Sequence, residues 1–272
     1  MKRELSSWFS PSLNKEMPIA SYGDFGFALL LVPTAAADYL EYERFQLMDH
    51  LAPFIYAGKV RVFSIDSINN ESWLNNNMAP RDKAIRHQQW NSYVFNEVVP
   101  FIRTNTSQET PIITCGASFG ALHSMNLFLK RPDLINGVIA MSGVYDLSEY
   151  TKGYFDDDVY FNSPFHYMSN LTDHSILEQI RKSGHIHILT GSGNYEDPAA
   201  SGSAARLHRA QGRRGARRHG RGRRRVRGVR PRARLPAAAV QRPARDADGV
   251  RDDRAPVADR ARAAAGHAEP AA

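Results

Sequence analysis

Short unbroken apolar runs alternate along the chain with longer stretches whose apolar positions recur about every four residues. Phe27 to Val32 is one such run, as a strand buried on both faces requires. Tyr39 to Tyr56 has helical spacing, with Leu40, Phe45, Leu47, Met48, Leu51 and Phe54 giving an apolar face. Val60 to Ile65, rich in β-branched and aromatic residues, predicts the next strand. An asparagine-rich loop follows, from Asn69 to Asn77. Arg81 to Arg103 predicts a long helix, because Trp90, Val94, Val98 and Ile102 recur with helical period. Pro111 to Cys115 predicts a third strand and Leu122 to Lys130 a helix. Val138 to Met141 and His185 to Leu189 predict further strands. Strands alternating with helices imply an α/β domain, with a mostly parallel sheet covered by helices on both faces.

The pattern stops near residue 201. Residues 202–272 contain no Phe, Trp, Tyr, Ile, Met, Asn or Lys. They hold 20 Arg and six acids, a balance of +14, whereas residues 1–201 hold 15 basic and 22 acidic residues, a balance of −7. The net +7 is therefore the sum of two different materials. A segment of Arg, Ala, Gly and Pro cannot bury enough apolar area to offset chain entropy. The expectation is a folded domain over residues 1–201 and a disordered tail over 202–272, with at most a short helix near Val257 to Ala265. The single cysteine, Cys115, excludes a disulfide framework and a cysteine-rich metal site. Neither an apolar leader at the N-terminus nor a run long enough to span a bilayer is present. A cytoplasmic protein that needs no membrane is expected.

Gly116, Ser118 and Gly120 form the pattern G-x-S-x-G. The pattern alone is weak, and a glycine-tolerant turn with an idle serine is the bland alternative. Its context is what counts: an apolar strand ends at Cys115 and a helical pattern starts just past Ser118. That strand–turn–helix is what a nucleophile elbow requires. Its serine hydroxyl would stand at the carboxyl edge of the sheet. The N–H of Phe119, opening the helix, would face the same point and suit an oxyanion.

Several segments around the elbow resemble one esterase family. They are Leu31 to Phe45, Asp66-Ser67 with Glu71-Ser72-Trp73, Tyr160-Phe161-Asn162-Ser163-Pro164, and Leu189 to Pro198. That family includes esterase D-like enzymes, feruloyl esterases and mycolyltransferases, and the resemblance covers about residues 15–201. It implies an α/β-hydrolase fold and a Ser–acid–His triad in that chain order, with Ser118 as nucleophile. A second oxyanion donor would come from the loop after the first family strand. Pro33 has no N–H, so Thr34 or Ala35 would supply it. The acid would follow His185 to Leu189, as Glu196 or, as the alternative, Asp197.

The family's histidine comes near the C-terminus in a motif like His-Asp-aromatic-Pro, and this sequence has none. His208, His219 and His267 sit in Arg/Ala/Gly surroundings, and every other histidine precedes the acid. Regrouping the codons of Ala233-Arg234-Leu235-Pro236 by one base can yield His-Asp-Phe-Pro. Upstream, Arg225-Val226-Arg227-Gly228 can regroup to an aromatic followed by Gly. Arg, Ala, Gly and Pro are also what GC-rich DNA yields when read out of frame. An out-of-frame read from about Ser201 is therefore expected, against a genuine basic tail.

Three functions follow from these features. The first is a serine carboxylic-ester hydrolase acting on a small-molecule ester, impaired as written for lack of its histidine, and needing no cofactor or metal. The second is a non-catalytic protein of the same fold. The third is a non-specific nucleic-acid binder through Arg213 to Arg234. No aromatic residue is interleaved there to stack bases, so sequence selectivity is not expected.

Overall fold

The computed structural model describes residues 1–183, 185–191 and 201–202. The predicted tail helix near Val257 to Ala265 lies outside the described residues. A seven-stranded sheet runs in the order β1-β2-β4-β3-β5-β6-β7 among them. Its strands are β1 (Arg3–Ser10), β2 (Lys15–Tyr22), β3 (Phe27–Val32), β4 (Val60–Ile65), β5 (Ile112–Ala117), β6 (Gly137–Met141) and β7 (His185–Leu189). β1 and β2 pair antiparallel, and β2 pairs antiparallel with β4. From β4 through β7 every pairing is parallel.

The unbroken apolar runs divide between two cores by the two-residue period of a strand. Ala28, Leu30 and Val32 of β3, with Phe63 and Ile65 of β4, join one core. Leu29 and Leu31, with Val60 and Val62, join the other. The first core is covered by α3 (Pro80–Tyr93), α4 (Val99–Asn105) and α5 (Phe119–Lys130). The second is covered by α1 (Glu41–Arg44) and α2 (Leu47–Tyr56). Four further helices, α6 (Ser148–Thr151), α7 (Asp157–Tyr160), α8 (Pro164–Asn170) and α9 (His174–Lys182), connect β6 to β7.

Two helical expectations need correction. The stretch from Tyr39 to Tyr56 is two helices, because Gln46 takes a left-handed conformation at φ 60° between them. The break shifts the helical phase, so Phe45 and Phe54 are 77 % and 52 % exposed while Tyr42, Met48 and Ile55 are buried. The predicted helix from Arg81 to Arg103 contains a π-helical turn, Val94–Val98, between α3 and α4. Pro100 stands two positions past this turn, where its missing N–H breaks the α-helical ladder. Trp90, Val94, Val98 and Ile102 nonetheless all face the core.

The antiparallel hairpin β1–β2 was not legible in the apolar pattern, because β1 is an exposed edge strand. Glu97 in the π turn ties it down. Its carboxylate accepts hydrogen bonds from Trp8 Nε1 (2.9 Å), Ser10 Oγ (2.9 Å) and the Ser12 N–H (3.1 Å). Burial pushes this carboxyl up, but the bonds from Ser12, Trp8 and Ser10 outweigh it and hold the pKa below the usual glutamate range. A depressed folded-state pKa stabilises above the unfolded value and loses that contribution as pH falls through the folded one. Glu97→Gln is expected to lower stability at pH 7 by about 1–3 kcal/mol, the scale of bonds to a charged group. In urea melts the difference from wild type should shrink below about pH 4. An equal difference at pH 7 and pH 3 would remove the charge from the explanation.

Candidate active site

Ser118 lies between the end of β5 and the start of α5, at φ 54° and ψ −117°. A non-glycine residue in such a region costs on the order of 1–3 kcal/mol, so its surroundings must impose it. The Ser118 N–H donates to the Met141 carbonyl on β6 at 3.0 Å. Its own carbonyl accepts from Ala121 (3.1 Å) and Leu122 (3.2 Å). The Phe119 N–H, in the first turn of α5, has no acceptor among the described residues, as helix starts generally lack one. Positive helix-dipole charge adds to it at the same point. The Phe119 side chain is fixed by burial against Tyr150, at 4.7 Å between ring centroids.

The two elbow glycines have separate jobs. A Cβ on Gly116 would lie 2.4 Å from the Gly120 carbonyl carbon, so Gly116 lets the helix return over the strand. A Cβ on Gly120 would lie 2.3 Å from the Val32 carbonyl oxygen and 2.8 Å from that of Pro33. Gly120 thereby seats the elbow helix on the end of β3, where the loop 33–36 begins.

That loop is tied down by side chains which the sequence did not mark as functional. The Thr34 N–H donates to Glu41 Oε2 at 2.8 Å, and the Thr34 hydroxyl donates to Glu41 Oε1. Of the two expected oxyanion donors, Thr34 is therefore engaged, while the Ala35 N–H has no acceptor among the described residues. The Ala35 carbonyl accepts from Asn69 Nδ2 at 2.8 Å. Tyr42 Oη donates to the Val32 carbonyl (2.9 Å) and accepts the Ala117 N–H (3.1 Å), joining the ends of β3 and β5. Glu41 and Tyr42 belong to a segment that carries the family resemblance. Nothing in their spacing distinguishes them from ordinary helix positions.

Cys115 and His123, which flank the elbow, are held neutral near pH 7. Burial pushes the Cys115 thiol up to about 12 and brings His123 down to about 3. Asp66, at the carboxyl end of β4, is raised by burial to about 6, while accepting the Tyr39 N–H at 2.7 Å. His123 is buried on α5 with His87, Trp90 and Phe119 around it. His166 is bonded to Ser163 Oγ at 2.7 Å. His185 and His187 are exposed on β7. The Ser118 hydroxyl has no hydrogen-bond partner among the described residues, and Glu196, Asp197 and His208 lie outside them. A cavity of about 400 Å³, lined by Lys130, Tyr167 and Ile176 among others, lies at the far end of α5. Twelve helical residues separate it from Ser118, roughly 18 Å at the α-helical rise, so it is not part of the elbow site.

The strand order, the parallel β3–β7 pairings and a strained serine at the carboxyl edge define an α/β-hydrolase fold. Solved structures agree. A ferulic acid esterase superposes with a TM-score of 0.60 at 14 % identity, over 78 % of this chain and 86 % of that one. MPT51 of Mycobacterium tuberculosis gives 0.53 at 18 % identity, over 79 % and 86 %. An S-formylglutathione hydrolase from Agrobacterium tumefaciens gives 0.51 at 16 % identity, over 78 % and 95 %. No curated protein matches the chain in sequence. The profile of the family described as "Putative esterase" matches residues 51–222, more than half of the chain, and the chain belongs to that family.

Gly120→Ala is expected to lower stability by about 3 kcal/mol, at the upper end of core overpacking, because the atoms in its way are backbone. Thermal melts of Gly120→Ala beside an exposed control such as Glu109→Ala measure it. A loss no greater than at the control would mean that α5 is not seated on β3 as described.

Proposed function

We propose that this chain hydrolyses a small-molecule carboxylic ester through an acyl intermediate on Ser118. The observation that carries the reading is the Ser118 backbone at φ 54°, pinned to Met141 and followed by a Phe119 N–H that has no acceptor among the described residues. Ser118 Oγ attacks the carbonyl carbon and gives up its proton. The resulting oxyanion accepts from the N–H groups of Phe119 and Ala35, Ala35 being favoured because Glu41 takes the Thr34 N–H. The tetrahedral adduct expels the alcohol, which leaves with a proton. Water then attacks the acyl-serine, releases the acid and restores the hydroxyl.

The reaction needs an imidazole to take the serine proton and return it to the leaving alcohol. The reading assigns the triad acid to Glu196, with Asp197 as the alternative. It assigns the family's base to a histidine motif that the segment 202–272 encodes only out of frame. The family match ends at residue 222, about twenty residues past the change in composition. On this reading residues 1–201 are an incomplete hydrolase domain, active weakly and without cofactor. No helix among the described residues is long and apolar enough to cross a membrane.

A fluorophosphonate probe is expected to label wild type slowly and Ser118→Ala not at all. Labelling of both alike would remove Ser118 from the chemistry. Turnover of a short-chain aryl ester should fall further for Glu196→Gln than for Asp197→Asn, and the reverse order moves the acid to Asp197.

A restored reading frame from about Ser201 should introduce a His-Asp-aromatic motif. It should raise turnover about a hundred- to ten-thousand-fold, the usual contribution of a general base. A gene with no such alternative frame, or a fully active present chain, overturns the out-of-frame reading and returns His208 to consideration.

A further inference from the structure

We propose that Asn69, oriented by His123, is a positioning residue that aims the Ala35 N–H at the oxyanion. The proposal rests on the acyl-serine reading above and adds to it the group that keeps the second donor in place.

Asn69 and His123 are buried at 2 % and 1 % exposure, in different segments. Asn69 opens the asparagine-rich loop after β4, and His123 is on α5, just past the elbow. The Asn69 amide nitrogen donates to the Ala35 carbonyl, so its carbonyl oxygen is the atom turned toward His123, 2.8 Å from Nε2. An amide oxygen only accepts. His123 must therefore carry its proton on Nε2, which leaves Nδ1 as a bare acceptor. Nδ1 has no hydrogen-bond partner among the described residues, in keeping with that assignment. The relay runs from α5 through His123 and Asn69 to the Ala35 carbonyl.

The loop geometry explains what the relay controls. The Thr34 N–H, held by Glu41, belongs to the peptide plane joining Pro33 and Thr34. The Ala35 carbonyl, held by Asn69, belongs to the plane joining Ala35 and Ala36. The Ala35 N–H lies in the single plane between these two. With both neighbours fixed, the Thr34 and Ala35 α-carbons that bound the middle plane are fixed too, so the Ala35 N–H keeps its place in the loop and only rotation about the axis joining those two carbons is left to it. Because His123 sits on the helix that Ser118 caps, the relay also sets the loop relative to the nucleophile.

Packing alone does not require this pair. His123 is walled by His87 (4.6 Å), Trp90 (5.1 Å) and Phe119 (5.7 Å), an environment that suits an apolar side chain. Replacing both partners of a buried hydrogen bond with apolar groups of similar shape is often nearly neutral for stability. The double variant Asn69→Leu/His123→Met removes both partners of that bond and leaves the half-buried Ala35 carbonyl without its donor, so a structural role would show as lost folding and a positioning role as lost kcat in a folded chain.

The test uses the full chain, a p-nitrophenyl ester and active-site titration with a fluorophosphonate, with near-UV circular dichroism to establish folding. The double variant is expected to fold, with kcat down about ten- to a hundredfold and KM little changed, the effect of a displaced donor. His123→Gln, whose amide can still donate to Asn69, should retain most of the activity, whereas His123→Met should not. A folded double variant with wild-type kcat overturns the positioning role and leaves the esterase reading standing. Wild-type turnover that survives Ser118→Ala overturns the esterase reading, and this proposal with it. Nitrogen NMR of wild-type His123 gives a measurement independent of any variant. An Nε2–H tautomer is expected, and an Nδ1–H tautomer breaks the relay.

Discussion

The close approach of α5 to the ends of β3 and β5 is the constraint on which the rest of this structure depends. Two glycines permit it. Gly116 lets the helix backbone pass over its own strand, and Gly120 lets the same helix rest on the carbonyls of Val32 and Pro33. Once the helix is seated, Ser118 has no room for an ordinary conformation. The strain at φ 54° is held by the hydrogen bond from Ser118 to Met141 and by two bonds returning from α5. The strain is local, whereas the packing that imposes it draws on strands β3, β5 and β6 together.

From that seat, the polar groups around the elbow divide into the fixed and the free. Glu41 and Tyr42 from α1, and Asn69 from the loop after β4, occupy the backbone groups of Val32, Thr34 and Ala35. The N–H groups of Phe119 and Ala35 are two of those they leave unpaired among the described residues. Preoriented dipoles of this kind stabilise developing charge without having to reorganise when it appears. The titratable neighbours Cys115 and His123 are kept neutral by burial, so neither adds a competing charge near neutral pH.

Ser118 and the helix that follows it come from the first half of the chain, whereas the proposed triad acid, Glu196 or Asp197, follows β7. Among the described residues β7 pairs only with β6, and Leu189 at its end is 52 % exposed. The sheet is thus well built on the side that makes the elbow. On the proposed reading, catalytic competence depends on residues past β7, and from residue 202 the composition changes to arginine, alanine, glycine and proline.

The sequence by itself determined strands β3 to β7 and the elbow. A strand buried on both faces is apolar at nearly every position, so Phe27 to Val32 stands out without any partner being known, and Val60 to Ile65 does so through Val60, Val62, Phe63 and Ile65 despite its Arg61 and Ser64. The elbow is equally local, being two glycines and a serine at a strand–helix junction. The hairpin β1–β2 escaped because an exposed edge strand carries no such run, and the break at Gln46 escaped because a single left-handed residue leaves no periodic trace. Tertiary structure alone decided which side chains hold the loop 33–36. Glu41, Asn69 and His123 come from three separate segments and meet only when α1, α5 and the loop after β4 converge on the end of β3. A hydrogen bond between distant segments depends on distance and direction in space, and neither is written in the spacing of residues along the chain.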